Sequence, residues 1–215
     1  IAEKCSALPD DMTEIIDRLL VMIKGTEDIE LSFSFLALSN IGTKKPELIL
    51  PHFNDLCKIA NRLVTIATNP TKAFSLFHST PFKTEIYGSY LDFCLIKGLF
   101  DNPANVQSLV ASGLPFSLVN IANAVLTYVN KRPEMLWKLM TIFIRFVTEH
   151  PAGAEMMETD NLTKDPKVNV GFAMRYALLS RDKAGELRNK IEAVPNDQRT
   201  TEKFAEIVNS LQLIQ

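Results

Sequence analysis

Apolar residues recur at helical spacing along the whole chain. Residues at i, i+3, i+4 and i+7 form one face of a helix with 3.6 residues per turn. The last segment shows this spacing most clearly, with one stripe formed by Phe204, Ile207, Val208, Leu211 and Ile214. The same spacing recurs from residue 10 onward, whereas strand-like alternation is confined to Phe33 and Phe35. The pattern predicts an all-α protein of about eleven or twelve helices.

Prolines, glycines and polar pairs divide the chain into these helices. A short turn of helix is expected over 46–51, and the most polar stretch, Thr159–Val168, is expected to be a loop. The predicted helices cover residues 10–24, 26–42, 52–67, 71–79, the stretch between Pro81 and Asp101, 104–112, 115–128, 133–149, 152–159, 169–180, 182–193 and 197–214.

One uncharged stretch could be mistaken for a membrane span. No charged residue occurs from Asn102 to Asn130, but the apolar part, Leu114–Val129, is short and contains two asparagines. A spanning helix needs about 20 mostly apolar residues. The stretch therefore predicts helices that are packed on more than one side within the fold.

Composition and charge narrow the class of function. The chain has 215 residues, of which 47% are hydrophobic and 22% charged, enough for one α-helical domain over 1–215 with a looser helical cap over 166–215. The net charge is −2, and nucleic-acid binders usually carry a basic surplus. We therefore do not expect nucleic-acid binding, and neither a membrane span nor a small-molecule substrate is expected.

The three cysteines, Cys5, Cys57 and Cys94, show neither a disulfide framework nor metal-ligand spacing. Cys57 and Cys94 lie among apolar residues and are expected to be small buried hydrophobes. This usage favours a reducing compartment, the cytoplasm or the nucleus. Because the first residue is isoleucine, we expect the chain to be part of a longer protein.

Three segments share a repeated organisation. Each has a boundary proline, a short apolar helix, a break and a longer apolar helix, and the boundary prolines are Pro70, Pro103 and Pro151. Their spacings bracket the 40–47 residues of armadillo and HEAT units. A helix pair of this size cannot close a core alone, so neighbouring units must stack.

The residues at two of these boundaries resemble armadillo repeats. The segment from Asn105 to Pro115 is similar to the short first helix and Gly/Pro corner of such a repeat, with Gly113 as the corner glycine. The segments Leu38–Gly42 and Pro46–Pro51 are similar to the end of one repeat and the start of the next. The resemblance implies a right-handed superhelical solenoid of degenerate armadillo- or HEAT-like units.

The resemblance also implies a function in protein–protein recognition. The expected role is a non-enzymatic scaffold or adaptor that holds a partner peptide or domain along a helical groove. Two other classes remain open. The first is a helical regulatory domain that alters the nucleotide state of a GTPase or chaperone, and the second is an all-α enzyme.

Motifs that would indicate cofactor or metal chemistry do not occur. The chain contains no Gly-x-Gly-x-x-Gly, P-loop or Gly-x-Ser-x-Gly, and its three histidines are far apart in sequence. Cys57 lies five residues from His52, off the i+4 alignment that would place a base beside a thiol. No cofactor, metal or catalytic residue is expected.

Polar residues on otherwise apolar helices are the candidate partner-binding residues. Asn54, Lys58, Asn61 and Arg62 form one stripe on the helix 52–67, and Asn120 and Asn123 form another on the helix 115–129. An Asn side chain both donates and accepts, which suits an extended peptide backbone in a groove. The alternative is that these are solvated residues or internally bonded amides. Trp137, the single tryptophan, is either a binding hot spot or part of the core.

Overall fold

The computed structural model describes residues 12–25, 28–68, 80–114, 117–118, 120–122, 132–150 and 170–212. Within these ranges all regular structure is helical and no strand occurs, as the periodicity predicts. The predicted helices 71–79 and 152–159 and the predicted loop Thr159–Val168 lie outside the described residues. The chain divides into two compact units, Ile1–Leu114 and Pro115–Gln215.

The first unit is built from six helices in its described part. Prolines take the first-turn positions of α3 and α6, where the missing N–H has no intrahelical partner to lose. Asn102 caps α6 by accepting a hydrogen bond from the Ala104 N–H at 3.0 Å. The six helices are α1 (Thr13–Met22), α2 (Asp28–Lys44), α3 (Pro46–Ile49), α4 (Phe53–Thr68), α5 (Thr80–Cys94) and α6 (Pro103–Ala111), with a 3₁₀ turn at Leu50–His52 between α3 and α4.

Aromatic rings form the centre of this unit. Phe93 of α5 stacks on Phe53 of α4 with ring centroids 4.8 Å apart, and it meets the ring of Phe35 on α2 edge-on at 5.5 Å. All three rings are buried. Because aromatic pairs add to the free energy of burial, this cluster fixes α2, α4 and α5 against one another.

Two glycines in the first unit lie where a side chain would be strained or crowded. Gly113 has φ +105°, a conformation that side chains with a Cβ rarely adopt, and it forms the corner after α6 that the sequence predicts. Gly42 lies against Ile96, and a Cβ at this position would come within 2.6 Å of the Ile96 Cδ1 atom. A side chain at position 42 would therefore require the Ile96 side chain, just after α5, to shift.

The second unit contains four helices with described bounds. Ser180 caps α9 by accepting a hydrogen bond from the Lys183 N–H at 3.1 Å, and Pro133 begins α7. Residues 117–118 and 120–122 are also helical. The four helices are α7 (Pro133–Glu149), α8 (Val170–Leu178), α9 (Arg181–Glu192) and α10 (Thr201–Gln212).

Helix α7 is the central element of the second unit. Ten of its side chains are buried, and α8, α9 and α10 all pack against it. The stripe predicted for the last helix faces this core, with Phe204, Val208 and Leu211 fully buried. None of the described helices is long and apolar enough to cross a membrane.

Candidate functional site

Helix α4 carries the first candidate stripe. Its apolar residues, including Leu56, Ala60 and Leu63, are buried on one side, and this amphipathic pattern leaves the opposite side to solvent. Asn54, Lys58 and Arg62 are exposed on that side. These three residues form a polar surface, and their role in partner binding stays a prediction.

Asn61 does not belong to this exposed surface, and the expectation that it does is wrong. Its side chain is 5% exposed. The amide nitrogen donates to the Ser112 Oγ atom at 2.8 Å and to the Cys57 carbonyl at 3.0 Å, while the amide oxygen accepts from the Tyr90 hydroxyl at 2.8 Å. Asn61 therefore bonds α4 to α5 and to the end of α6, and the alternative of an internally bonded amide holds at this position.

Two thiols lie beside this buried amide. Cys57 and Cys94 are both buried. Burial raises the pKa of the Cys57 thiol far above its ordinary value, against a smaller lowering effect of its hydrogen bond with Ser112. Burial likewise raises the pKa of Cys94, and the nearby Cys57 raises it further. Both thiols are neutral at physiological pH, so they pack as hydrophobes rather than react as nucleophiles.

Trp137 lies in the core of the second unit, so the structure supports the core alternative of the two that the sequence left open. The side chain is 1% exposed. Its indole N–H donates to the Thr200 carbonyl at 3.1 Å, and its ring meets Phe204 edge-on at 5.7 Å. The Arg199 guanidinium lies over the ring at 5.5 Å. Trp137 thereby fastens the start of α10 to α7.

The second predicted stripe is described only in part. Asn120 is partly exposed, but its amide nitrogen is buried and makes no hydrogen bond among the described residues. Asn123 lies outside the described residues. Neither observation places these two asparagines on a common exposed groove.

Metal-ligating side chains are dispersed in the described part of the chain. No three His, Cys, Asp or Glu side chains there lie close enough to hold one metal ion.

A pair of parallel helices forms a surface that the sequence analysis did not single out. Phe33 on α2 contacts Phe82 on α5 with centroids 5.8 Å apart, and Ser39 on α2 donates to the Ser89 carbonyl on α5 at 2.8 Å. Phe33 and Phe82 are 49 residues apart in sequence, and Ser39 and Ser89 are 50 residues apart. The second contact lies further along both helices than the first, so α2 and α5 run in the same direction, side by side.

The outward sides of these two helices form what we call the α2–α5 face. On each helix its members recur at helical spacing, and each is at least partly exposed. They are Glu30, Phe33, Ala37 and Asn40 on α2 and Pro81, Glu85, Gly88 and Asp92 on α5. Two of them stand out, because Phe33 is a large aromatic residue that is 54% exposed and Gly88 is a glycine inside a helix.

Two features of the sequence point to this face, although helical spacing alone did not identify it. Leu31, Phe33, Phe35 and Leu36 all read as apolar positions of one helix, but they point in different directions around its axis. Leu31 and Phe35 are buried while Phe33 is exposed. A glycine in mid-helix, which costs about 1 kcal/mol relative to alanine, is the second signal.

Comparisons with known proteins identify no relative. No protein-family model matches the chain, and neither a curated protein nor a solved structure gives a match.

Proposed function

We propose that this protein is a non-enzymatic protein–protein recognition module. In this proposal, helical repeats that resemble armadillo or HEAT repeats stack on one another. Their shared surface holds a partner peptide or domain. The module acts as a scaffold or adaptor in the cytoplasm or nucleus and needs no cofactor.

The parallel packing of α2 on α5 is the observation that carries this proposal. Successive units of a helical repeat place equivalent helices side by side in the same direction. The two contacts join residues 49 and 50 positions apart, slightly more than the 40–47 residues of armadillo and HEAT units, and the boundary prolines are 33 and 48 residues apart. A surface that spans two such helices offers more contact area than one helix can.

The chemistry of the described residues supports binding rather than catalysis. The polar groups at the centre of the first unit are used internally, since Asn61 bonds Tyr90 and Ser112. Phe33, by contrast, contacts Phe82 on one side yet remains 54% exposed, and aromatic residues are enriched in protein interfaces.

Site-specific photocrosslinking tests the proposal. A photoreactive amino acid is placed at Ala37 on the α2–α5 face, at Asn54 on α4 and, as a control, at the exposed Glu202 on α10. After irradiation in a cytosolic extract, we expect one protein to be crosslinked from Ala37 or Asn54 and not from Glu202. That protein, once purified, must bind the unmodified module with saturation.

Two results would contradict the proposal. One is a crosslinking pattern that is the same at all three positions, which indicates nonspecific contact. The other is a captured protein that fails to bind when purified.

A further inference from the structure

Two contacts fix how α4 and α5 are aligned. The ring of Phe53 on α4 stacks on Phe93 of α5 with centroids 4.8 Å apart. Two turns further along α4, the Asn61 amide oxygen accepts from the Tyr90 hydroxyl of α5 at 2.8 Å. The contact moves forward along α4 and backward along α5, so the two helices pack antiparallel.

The two buried thiols occupy facing positions in this alignment. Cys57 lies one turn before Asn61 on α4, and Cys94 lies one turn after Tyr90 on α5. In an antiparallel pair, one turn back on the first helix and one turn forward on the second reach the same level. The Cys57 thiol also raises the pKa of Cys94, so the two sulfur atoms interact directly through the core.

A single amide connects the surroundings of both thiols. Asn61 donates to the Ser112 Oγ atom and accepts from the Tyr90 hydroxyl, each at 2.8 Å. Ser112 also hydrogen-bonds the Cys57 thiol, and Tyr90 hydrogen-bonds the Cys94 thiol. Each thiol is thus held by a partner of the same side chain, and α4, α5 and the end of α6 gather both sulfur atoms into one cluster.

Burial affects the charged and uncharged forms of this pair differently. A thiolate in the core has no water around it, which is why burial raises the pKa of both thiols. A disulfide carries no charge, so the same burial does not oppose it. In a reducing compartment, disulfides are usually transient and redox-sensing.

We propose that Cys57 and Cys94 form a reversible disulfide that links α4 to α5 when a peroxide oxidises the protein. Cys57 reacts first, because its neighbour Ser112 is partly exposed at the end of α6, whereas Tyr90 beside Cys94 is fully buried. In the resting protein both thiols are covered and protonated, so the reaction occurs in molecules whose α6 end has opened locally. This inference is independent of the proposed function.

The reaction balances with one molecule of hydrogen peroxide. The Cys57 sulfur attacks one peroxide oxygen, an S–O bond forms and the O–O bond breaks, and the leaving hydroxide takes up the Cys57 proton as water. The Cys94 sulfur then attacks the sulfenic sulfur of Cys57. The S–S bond forms, the S–O bond breaks, and the hydroxide leaves as a second water with the Cys94 proton.

Peptide mapping of the full chain tests this inference. Trypsin cleaves after lysine and arginine except before proline, so it places the three cysteines on the separate peptides 5–18, 45–58 and 84–97. The folded protein is treated with hydrogen peroxide, free thiols are blocked with iodoacetamide in denaturant, and the unreduced digest is analysed by mass spectrometry. We expect 45–58 to be joined to 84–97, and the two peptides to separate after treatment with dithiothreitol.

Oxidation in urea is the control for the role of the fold. In the unfolded chain Cys5 competes for both other thiols, so links from peptide 5–18 should appear beside the link between 45–58 and 84–97. The inference is overturned if the folded sample lacks the link between 45–58 and 84–97, or if it gives the same mixture as the urea sample.

Single substitutions test the order of the two steps. In Cys94→Ser, the Cys57 sulfenic acid has no facing thiol, so dimedone should label peptide 45–58. In Cys57→Ser, peptide 84–97 should keep its free thiol. Circular dichroism establishes that both variants are folded. Equal dimedone labelling of the two peptides would overturn the assignment of Cys57 as the first thiol to react.

Thermal unfolding shows whether the disulfide fits the folded protein. Cys57 and Cys94 are 37 residues apart, and a crosslink over such a loop restricts the unfolded chain. The Tm of the oxidised protein should be about 5–10 °C higher than that of the reduced protein, and dithiothreitol should remove the difference. A Tm that oxidation leaves unchanged or lowers would overturn the proposal, because the disulfide would then not be compatible with the packing of α4 on α5.

Discussion

The two units join their helices by different kinds of polar contact. In the first unit a buried and uncharged amide, Asn61, bonds α4 to α5 and to the end of α6. In the second unit charged side chains bridge α7 and α9 at the surface, where Arg188 contacts Glu149 at 3.1 Å and Glu192 at 2.8 Å. The buried polar contact of the second unit is instead the hydrogen bond from the Trp137 indole to the Thr200 carbonyl. The difference predicts distinct responses to mutation, salt and pH.

The largest effect is expected from Trp137. Trp137→Ala removes the buried ring, its hydrogen bond to Thr200 and its contact with Phe204, and should lower the free energy of unfolding by about 3–5 kcal/mol. The measurement is urea denaturation followed by circular dichroism. Trp137→Phe keeps a ring but loses the donor, and should cost about 1–2 kcal/mol. A loss below 1 kcal/mol for the alanine variant would show that the start of α10 is held by other contacts.

Asn61 should show the next largest effect. Asn61→Ala leaves the buried Tyr90 hydroxyl without its acceptor and Ser112 without its donor, and should cost about 2–3 kcal/mol in the same measurement. Asn54→Ala, on the exposed side of the same helix, is the matched control and should stay within about 0.5 kcal/mol. Equal losses for the two variants would contradict the buried network. Because no charge is involved, the cost at Asn61 should not change with salt.

Arg188 should show a smaller and salt-dependent effect. It forms a surface network with Glu149 and Glu192, and Arg145 also contacts Glu149 at 3.2 Å. Arg188→Ala should cost about 1 kcal/mol at low salt, since exposed pairs contribute little singly and somewhat more in networks. In 1 M NaCl, where the screening length falls to about 3 Å, the cost should shrink. A cost that stays constant with salt would assign the stabilisation to packing of the arginine stem.

The smallest effect concerns alkaline pH in the second unit. The Tyr176 hydroxyl donates to a Glu186 carboxylate oxygen at 2.7 Å and accepts from the Lys183 ammonium at 3.1 Å. Burial, then the hydrogen bond to Glu186, raises the pKa of Tyr176, and the contact with Tyr176 raises the pKa of Lys183. Both groups hold their protons more tightly when folded. The stabilisation that these contacts provide is therefore complete at pH values below the pKa that each group has in the unfolded chain, about 10. It is lost as the pH rises through the higher pKa that each group has in the folded protein.

The variant Tyr176→Phe isolates this contribution. We expect the wild type to lose more unfolding free energy than the variant between pH 9 and pH 11, measured by urea denaturation at each pH. Identical pH profiles would show that the Tyr176 contacts do not persist in solution.

The local structure followed from the sequence because its causes are local. The stripe of Phe204, Val208 and Leu211 predicted α10 and its buried side, and the observed helix faces the core as expected. Gly113 predicted a corner, and its positive φ provides it. Periodicity, caps and backbone freedom act within a few residues, so a single chain segment reveals them.

Depth below the surface was decided by tertiary packing. Asn54 and Asn61 are seven residues apart and point in nearly the same direction from α4, yet only Asn61 is buried. The reason is Ser112, 51 residues further along the chain, which the end of α6 places beside Asn61. Phe33 shows the converse, an apolar side chain left exposed because α5 covers the neighbouring side of α2. Helical periodicity gives the direction of a side chain, whereas its burial depends on which distant segment packs there.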